Sequence, residues 1–260
     1  MRLALAQETP PVSVDAALER LEQLCFQANQ AGADLLLTPE MSLTGYQLRL
    51  DELQDWSETP LLGPLTNRAS ELAKKYHLAV VVGYPERSSY LYPYNSALLL
   101  SNEGEPLLNY RKTHLFGELD RCRFQAGEQL MKPINLHGWS VNLAICYDVE
   151  FPEVVRSLAL KATQLLLVPT ANMHPYTSIP LRQIPVRAEE NGICLAYANY
   201  TGREGQLEFC GLSCVCDSCG KDLGRLNALP DLLIVDLDTE QLLNSRHATY
   251  LADRRPELYD

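Results

Sequence analysis

The chain has no run of Lys or Arg, no stretch of roughly 18 apolar residues, and no segment rich in Gly, Ser or Pro. Each absence excludes something. Basic side chains number 22 against 33 acidic ones, a net charge of −11, so nucleic acid and anionic membranes are poor partners. Without a long apolar run no membrane span is expected. The opening MRLALAQETPP carries one Arg and only about four apolar residues before it turns polar, too short for a secretory core. A cytoplasmic protein is expected, whose eight cysteines stay reduced rather than pair. No linker, low-complexity segment or fixed-period repeat divides the 260 residues, which predicts one domain over 1–260. With 46% hydrophobic residues it has enough apolar material for a substantial core.

What is present alternates between two periods. Residues 2–6 (RLALA) predict a strand, and Val14, Ala17, Leu18, Leu21, Leu24, Cys25 and Ala28 then recur along one helical face. DLLLTPE (34–40) is an apolar run stopped by Thr-Pro-Glu, as expected of a strand buried on both faces. A helix over 65–77, a strand over 78–86, and two strands within 95–112 joined at Asn102-Glu103-Gly104 follow. The strand–helix–strand pattern repeats over 139–146, 152–162 and 164–170. It repeats again over 181–192 and 193–200, where Pro185 disturbs a regular helix. A hairpin over 211–226 and a strand over 231–238 end the series. Alternation of this kind predicts an α/β fold with helices covering the outer faces of sheets.

Sites in α/β sheets lie outside the carboxyl ends of strands. Glu40 follows DLLLTP, Lys112 follows LLNYR, and Cys146 follows NLAI. Singly, each has a plain structural reading: a solvated loop carboxylate, a surface charge, a small core hydrophobe. Together they form a chemically complete set. A thiol is mostly protonated at neutral pH and needs a base or a positive neighbour to become a nucleophile. Glu40 can take the proton, and Lys112 can hold first the thiolate and then an oxyanion, so a His partner is not required.

The segments TPEMSLTGY (38–46), NYRKTHLFGELDRCRFQAGE (109–128) and ICYDVEFPEVVRSLALKATQLLLVPTANM (145–173) resemble, in order and spacing, the three signature regions of the nitrilase, or carbon–nitrogen hydrolase, superfamily. The similarity runs from the first strand to RRPELY (254–259). The resemblance implies an αββα four-layer sandwich and a Glu40–Lys112–Cys146 triad. In that triad Glu40 is general base and then acid, Cys146 forms a thioester with loss of ammonia, and water hydrolyses it. Lys112 and the backbone N–H of Tyr147 would hold the oxyanion, and no metal or organic cofactor is implied. A further carboxylate shortly after the lysine is also implied: Glu118 by residue type, Asp120 by counting back from Gly127. The family commonly associates through helices beside the site, which implies a homodimer or larger homo-oligomer.

Many members carry Arg two residues before the Pro of the cysteine motif, where CYDVEFPE has Glu150. Either Glu150 pairs with a nearby Arg such as Arg156, or it attracts a cationic substrate. YRKTHLFGELDR, EFPE, VPTANMHPY and YANYTG resemble the aliphatic amidase branch that includes 5-aminopentanamidase and related stereoselective amidases. This implies a short primary amide substrate, an ω-amino-alkanamide such as 5-aminopentanamide, with Asn172 and Met173 as further candidates for substrate contact. An ω-amidase or an N-carbamoyl-amine hydrolase is the alternative chemistry within the family. A non-catalytic binding subunit is the alternative outside it, disfavoured by the intact triad.

Cys210, Cys214, Cys216 and Cys219 crowd into ten residues and invite a zinc reading. Cys210, Cys214 and Cys216 share parity along a strand-like segment, which predicts that they pack on one face and that no metal is bound. His114 and His174 flank the proposed site and read as hydrogen-bonded loop residues or as substrate contacts.

Overall fold

The computed structural model describes residues 1–239, 242 and 248–259. Two six-stranded sheets lie face to face with helices on their outer sides. The first sheet has the order β14-β1-β2-β3-β4-β5, built from β1 (Arg2–Gln7), β2 (Leu35–Leu37), β3 (Ala79–Glu86), β4 (Tyr94–Leu100), β5 (Pro106–Arg111) and β14 (Asp231–Asp236). The second has the order β13-β12-β9-β8-β7-β6: β6 (Ile134–Leu136), β7 (Trp139–Leu143), β8 (Leu165–Pro169), β9 (Cys194–Ala198), β12 (Cys214–Cys216) and β13 (Asp222–Arg225). In each, three parallel strands (β1, β2, β3 and β7, β8, β9) form the middle and antiparallel strands the flanks.

Side-chain alternation explains the layers. Leu3, Leu5, Leu35, Leu37, Val81 and Leu99 point between the sheets, where they meet Trp139, Val141, Leu143, Leu165, Leu167 and Val215. Their neighbours Ala4, Ala6, Leu36, Val80 and Val82 point outward under α1 (Val14–Gln30) and α3 (Pro64–Tyr76). Leu166, Val168, Leu195 and Tyr197 do the same under α5 (Pro152–Leu160) and α6 (Ile184–Asn191). Both faces of each central strand are therefore buried, which is why DLLL and QLLLVP read as unbroken apolar runs.

Pro185 disturbs the helix, as expected, without ending it: Ile179–Gln183 is wound as a π-helix that runs directly into α6, with Pro185 as its second residue. Short elements lacked a periodic signature: α2 (Leu50–Trp56), α4 (Gly117–Arg121), α7 (Ala248–Ala252), β6, and a separate hairpin of β10 (Thr201–Glu204) and β11 (Leu207–Cys210). The strand expected to run to Cys146 stops at Leu143. Cys146 instead opens a 3-10 turn, Cys146–Glu150.

Candidate active site

Glu40, Lys112 and Cys146 come from three strand ends. After β2 the chain leaves through Thr38-Pro39, and Glu40 donates its backbone N–H to Thr170 O, 3.3 Å away, beyond the end of β8 in the other sheet. Lys112 follows β5 and donates its N–H to Asn95 O at 2.8 Å. Cys146 stands two residues beyond Ala144, whose N–H reaches Leu167 O. Both Met41 (φ 54°) and Cys146 (φ 45°) adopt left-handed backbone, uncommon for residues with a side chain and held here by the surrounding structure.

The Lys112 ammonium is fully buried. Its Nζ lies 2.7 Å from Glu40 Oε1 and 2.7 Å from Asp120 Oδ2. Asn95 Nδ2 donates a second bond to Glu40 Oε1 at 2.7 Å, while Glu40 Oε2 is buried with no partner among the described residues. Burial works against the lysine's charge, but Asp120 and Glu40 outweigh it and its pKa rises well above the usual value. Glu40 is raised, first by burial and also by Asp120 beyond it, with Lys112 opposing. Burial opposes the charge of Asp120 too, yet Lys112, the Tyr46 hydroxyl and the Phe116 N–H hold it below the usual carboxylate range. The two carboxylates on one ammonium are thus unlike: Asp120 is a fixed anion, and Glu40 is a base with a free oxygen. The Cys146 thiol is pushed up by burial and by Glu40, with Lys112 and the Ala171 N–H opposing, so its resting form is the protonated thiol.

Of the two carboxylates expected after the lysine, the structure brings Asp120 to it and not Glu118. Glu118 is on the exposed face of α4, 3.6 Å from Arg121. The one-turn helix points residues two apart in opposite directions, so residue type misled where position did not. Asp148 is a buried hub that sequence reasoning did not single out. It accepts from Ile145 N–H (3.1 Å), Tyr110 OH (2.9 Å), Thr113 N–H (3.2 Å) and His114 N–H (2.8 Å). It thereby ties the segment after Lys112 to the turn that carries Cys146. Its place two residues after the cysteine was the available signal, together with Tyr46 at the end of the Glu40 motif and Asn95 at the start of β4.

Tyr147 begins that turn behind Cys146, where first-turn N–H groups have no partner within the helix. Its ring meets Phe116 (5.2 Å between centroids) and Phe151 (4.9 Å), and Phe116 also meets Tyr176. Glu150 is half-buried, and its carboxylate makes no ion pair among the described residues. Arg156 does not pair with it. Arg187 binds the carbonyls of Val149 and Glu150 and turns its remaining charge to Glu190. Burial raises the Glu150 carboxyl to about 7, with Lys112 and Arg187 opposing, and its charge acts on Cys146 in turn. Asn172 is committed elsewhere: Nδ2 donates to Tyr176 O at 3.1 Å and to Cys210 Sγ at 3.4 Å. Met173 packs with Met41, Tyr46, Phe124, Tyr200 and Phe209. His114 stacks on Phe151 with Nδ1 2.9 Å from Asp148, and His174 is exposed.

The cysteine segment is not one strand. Gly211 and Leu212, both at positive φ, separate β11 from β12, so Cys210 does not share a face with Cys214 and Cys216. Among the described residues, Cys214, Cys216 and Asp222 bring ligand atoms within 4.8 Å of one another. Arg225 already holds Asp222 with two bonds of 2.6 and 2.8 Å, and Cys216 donates to the same carboxylate at 3.3 Å. The Asp222 carboxylate of that group is thus already paired with a guanidinium.

The carbon–nitrogen hydrolase family model matches residues 2–246. The chain belongs to that family. Similar proteins include a hydrolase encoded in the pqqF 5′ region of Pseudomonas protegens, 44% identical over 100% of this chain and 91% of that protein. The (R)-stereoselective amidase of a Pseudomonas species is 34% identical over 85% of this chain and 80% of its own. The NitN amidase of Nesterenkonia sp. AN1 superposes with a TM-score of 0.88 at 37% identity, covering 100% of this chain and 98% of the other. One structure of that amidase carries acrylamide added at its active-site cysteine. The protein is thus a carbon–nitrogen hydrolase of the nitrilase superfamily, with the expected sandwich of two sheets flanked by helices. No helix among the described residues is long and apolar enough to cross a membrane.

Proposed function

We propose that the protein hydrolyses a short aliphatic primary amide through a Cys146 thioester. Glu40 Oε2 takes the thiol proton as sulfur attacks the amide carbon. Lys112 spends two of its roughly three donors on Glu40 and Asp120, which leaves one for the oxyanion, with the Tyr147 N–H beside it. Glu40 then protonates the leaving nitrogen, ammonia departs, and Glu40 draws a proton from the water that attacks the thioester. Collapse of the second tetrahedral species expels sulfur, Glu40 returns its proton to it to restore the thiol, and the acid released ionises to the carboxylate. The observation that carries this reading is the Glu40 Oε2 left without a partner among the described residues, beside the buried Lys112 ammonium, with both groups in electrostatic range of the half-buried Cys146 thiol.

We further read the substrate as an ω-amino-alkanamide such as 5-aminopentanamide, on the strength of Glu150. A half-buried carboxylate with no ion-pair partner, within electrostatic range of Cys146 and Lys112, suits an ammonium at the far end of a short chain. An ω-amidase would instead need a free cation there, and the guanidinium of Arg187 is already bound. The test is kcat/KM for 5-aminopentanamide against pentanamide, with Cys146→Ala as blank. Below pH 7 the Glu150 carboxyl is neutral and above it anionic, while the substrate amine stays charged throughout. The ratio therefore rises from pH 6 to pH 8, reaching about tenfold, which corresponds to about 1.4 kcal/mol. Equal values at both pH values, or faster turnover of a carbamoyl amine, remove the amine-binding reading. Exposed apolar side chains on and next to α5 and α6, Leu160, Leu181 and Val186, support a homodimer or larger assembly.

A further inference from the structure

Asp120 has no oxygen to spare. Oδ2 accepts from Lys112 Nζ at 2.7 Å and from the Phe116 N–H at 2.9 Å, and Oδ1 accepts from the Tyr46 hydroxyl at 2.6 Å. Tyr46 is itself held from every side. Both oxygens of the Glu204 carboxylate accept from its backbone N–H at 3.0 and 3.2 Å. Arg123 Nη1 donates to its carbonyl at 2.8 Å, the guanidinium lies 5.2 Å from its ring centroid, and Phe209 meets the ring edge-on at 6.5 Å. The close approach of Glu204 depends on Gly45 (φ 88°), where a Cβ would stand 2.7 Å from Glu204 Oε1. Glu204 ends β10, in the hairpin that belongs to neither main sheet.

We propose that Tyr46 is the positioning residue of this site, clamped by Glu204 of the β10–β11 hairpin, and that it fixes the carboxylate that aims Lys112. The inference rests on the amidase reading but concerns how the site is held, not what it hydrolyses. A short carboxylate alone can rotate about two torsions and carry the ammonium with it. Anchoring Oδ1 to a buried phenol removes that freedom, leaving Lys112 one direction in which to offer its remaining N–H. Because each Asp120 oxygen already accepts from a fixed donor and the carboxyl is held below its usual range, Asp120 stays ionised, and proton transfer falls to Glu40. Burial keeps the phenol protonated, so it acts only as a donor. The hairpin thereby acquires a function: it reaches over the Glu40 loop and locks a side chain that joins that loop to α4.

The test uses Tyr46→Phe, Glu204→Ala and Glu204→Gln in the full chain, with two readouts. The first is the pH dependence of Cys146 alkylation by iodoacetamide, followed on the Cys146 peptide by mass spectrometry because Cys122 and Cys219 are exposed and also react. The second is kcat and KM for a primary amide. Loss of a bond from a neutral donor to a charged acceptor predicts a fall in kcat on the order of tenfold to a hundredfold, with KM within about threefold. The alkylation midpoint moves to higher pH, because the Asp120 charge is less neutralised and the ammonium less well aimed at sulfur. Glu204→Ala changes both readouts in the same direction, and Glu204→Gln, which keeps an acceptor for the Tyr46 N–H, restores most of the rate. A folded Tyr46→Phe protein with unchanged alkylation midpoint and kcat overturns the proposal. Should that variant fail to fold, equal behaviour of Glu204→Ala and wild type overturns it. If wild type hydrolyses no amide while the alkylation shifts appear, the amidase reading falls and this one stands.

Discussion

At the scale of single residues, the site separates two acids by what surrounds each. Asp120 and Glu40 face one ammonium at the same distance, yet Asp120 accepts three bonds and Glu40 keeps an oxygen empty. Bonds to the charged form hold Asp120 ionised, whereas burial with fewer bonds leaves Glu40 able to take a proton. Lys112 cannot be removed without leaving two buried carboxylates facing one another, so Lys112→Met is expected to cost about 3–5 kcal/mol of stability besides activity. The neighbouring acids give a cleaner comparison. Asp120→Asn lowers kcat about a hundredfold or more by releasing the oxyanion donor, and Glu118→Gln leaves it within twofold. Steady-state kinetics on the pair checks this, and a large loss in Glu118→Gln would return the auxiliary role to that residue.

At the scale of elements, strand ends are pressed together by residues that lack side chains. A Cβ on Gly83 would stand 2.2 Å from Met41 N and 3.0 Å from Glu40 C, and one on Gly127 would stand 2.4 Å from Arg111 O, one residue before Lys112. Neither glycine has an unusual φ; each is small because another segment's backbone passes against it. Gly83→Ala should therefore move the Glu40 loop rather than unfold the sheet. The expected cost is about 1–3 kcal/mol, with a fall in kcat on the order of a hundredfold. Thermal melting and kinetics measure the two parts, and a variant with normal kcat would show that the loop has room to adjust.

At the scale of the whole molecule, the acidic chain exposes Leu160 on α5, Val186 on α6 and Leu181 just before it. Association through these helices predicts a species of about twice 29.2 kDa or more in solution, reduced to the monomer mass by Val186→Glu. Light scattering of both proteins tests this, and a monomeric wild type sinks it. The sequence by itself determined the layers: apolar runs such as DLLL and QLLLVP must be buried on both faces, and helical stripes such as Val14 to Ala28 must cover them. It also marked Glu40, Lys112 and Cys146, since each follows a strand that can be read locally. The choice of Asp120 over Glu118, the hub at Asp148, the clamp on Tyr46, the split between Cys210 and Cys214, and the freedom of Glu150 from Arg156 were decided only in three dimensions. Each depends on which way a short turn points a side chain and on what a distant segment brings against it, and neither quantity has a period along the chain.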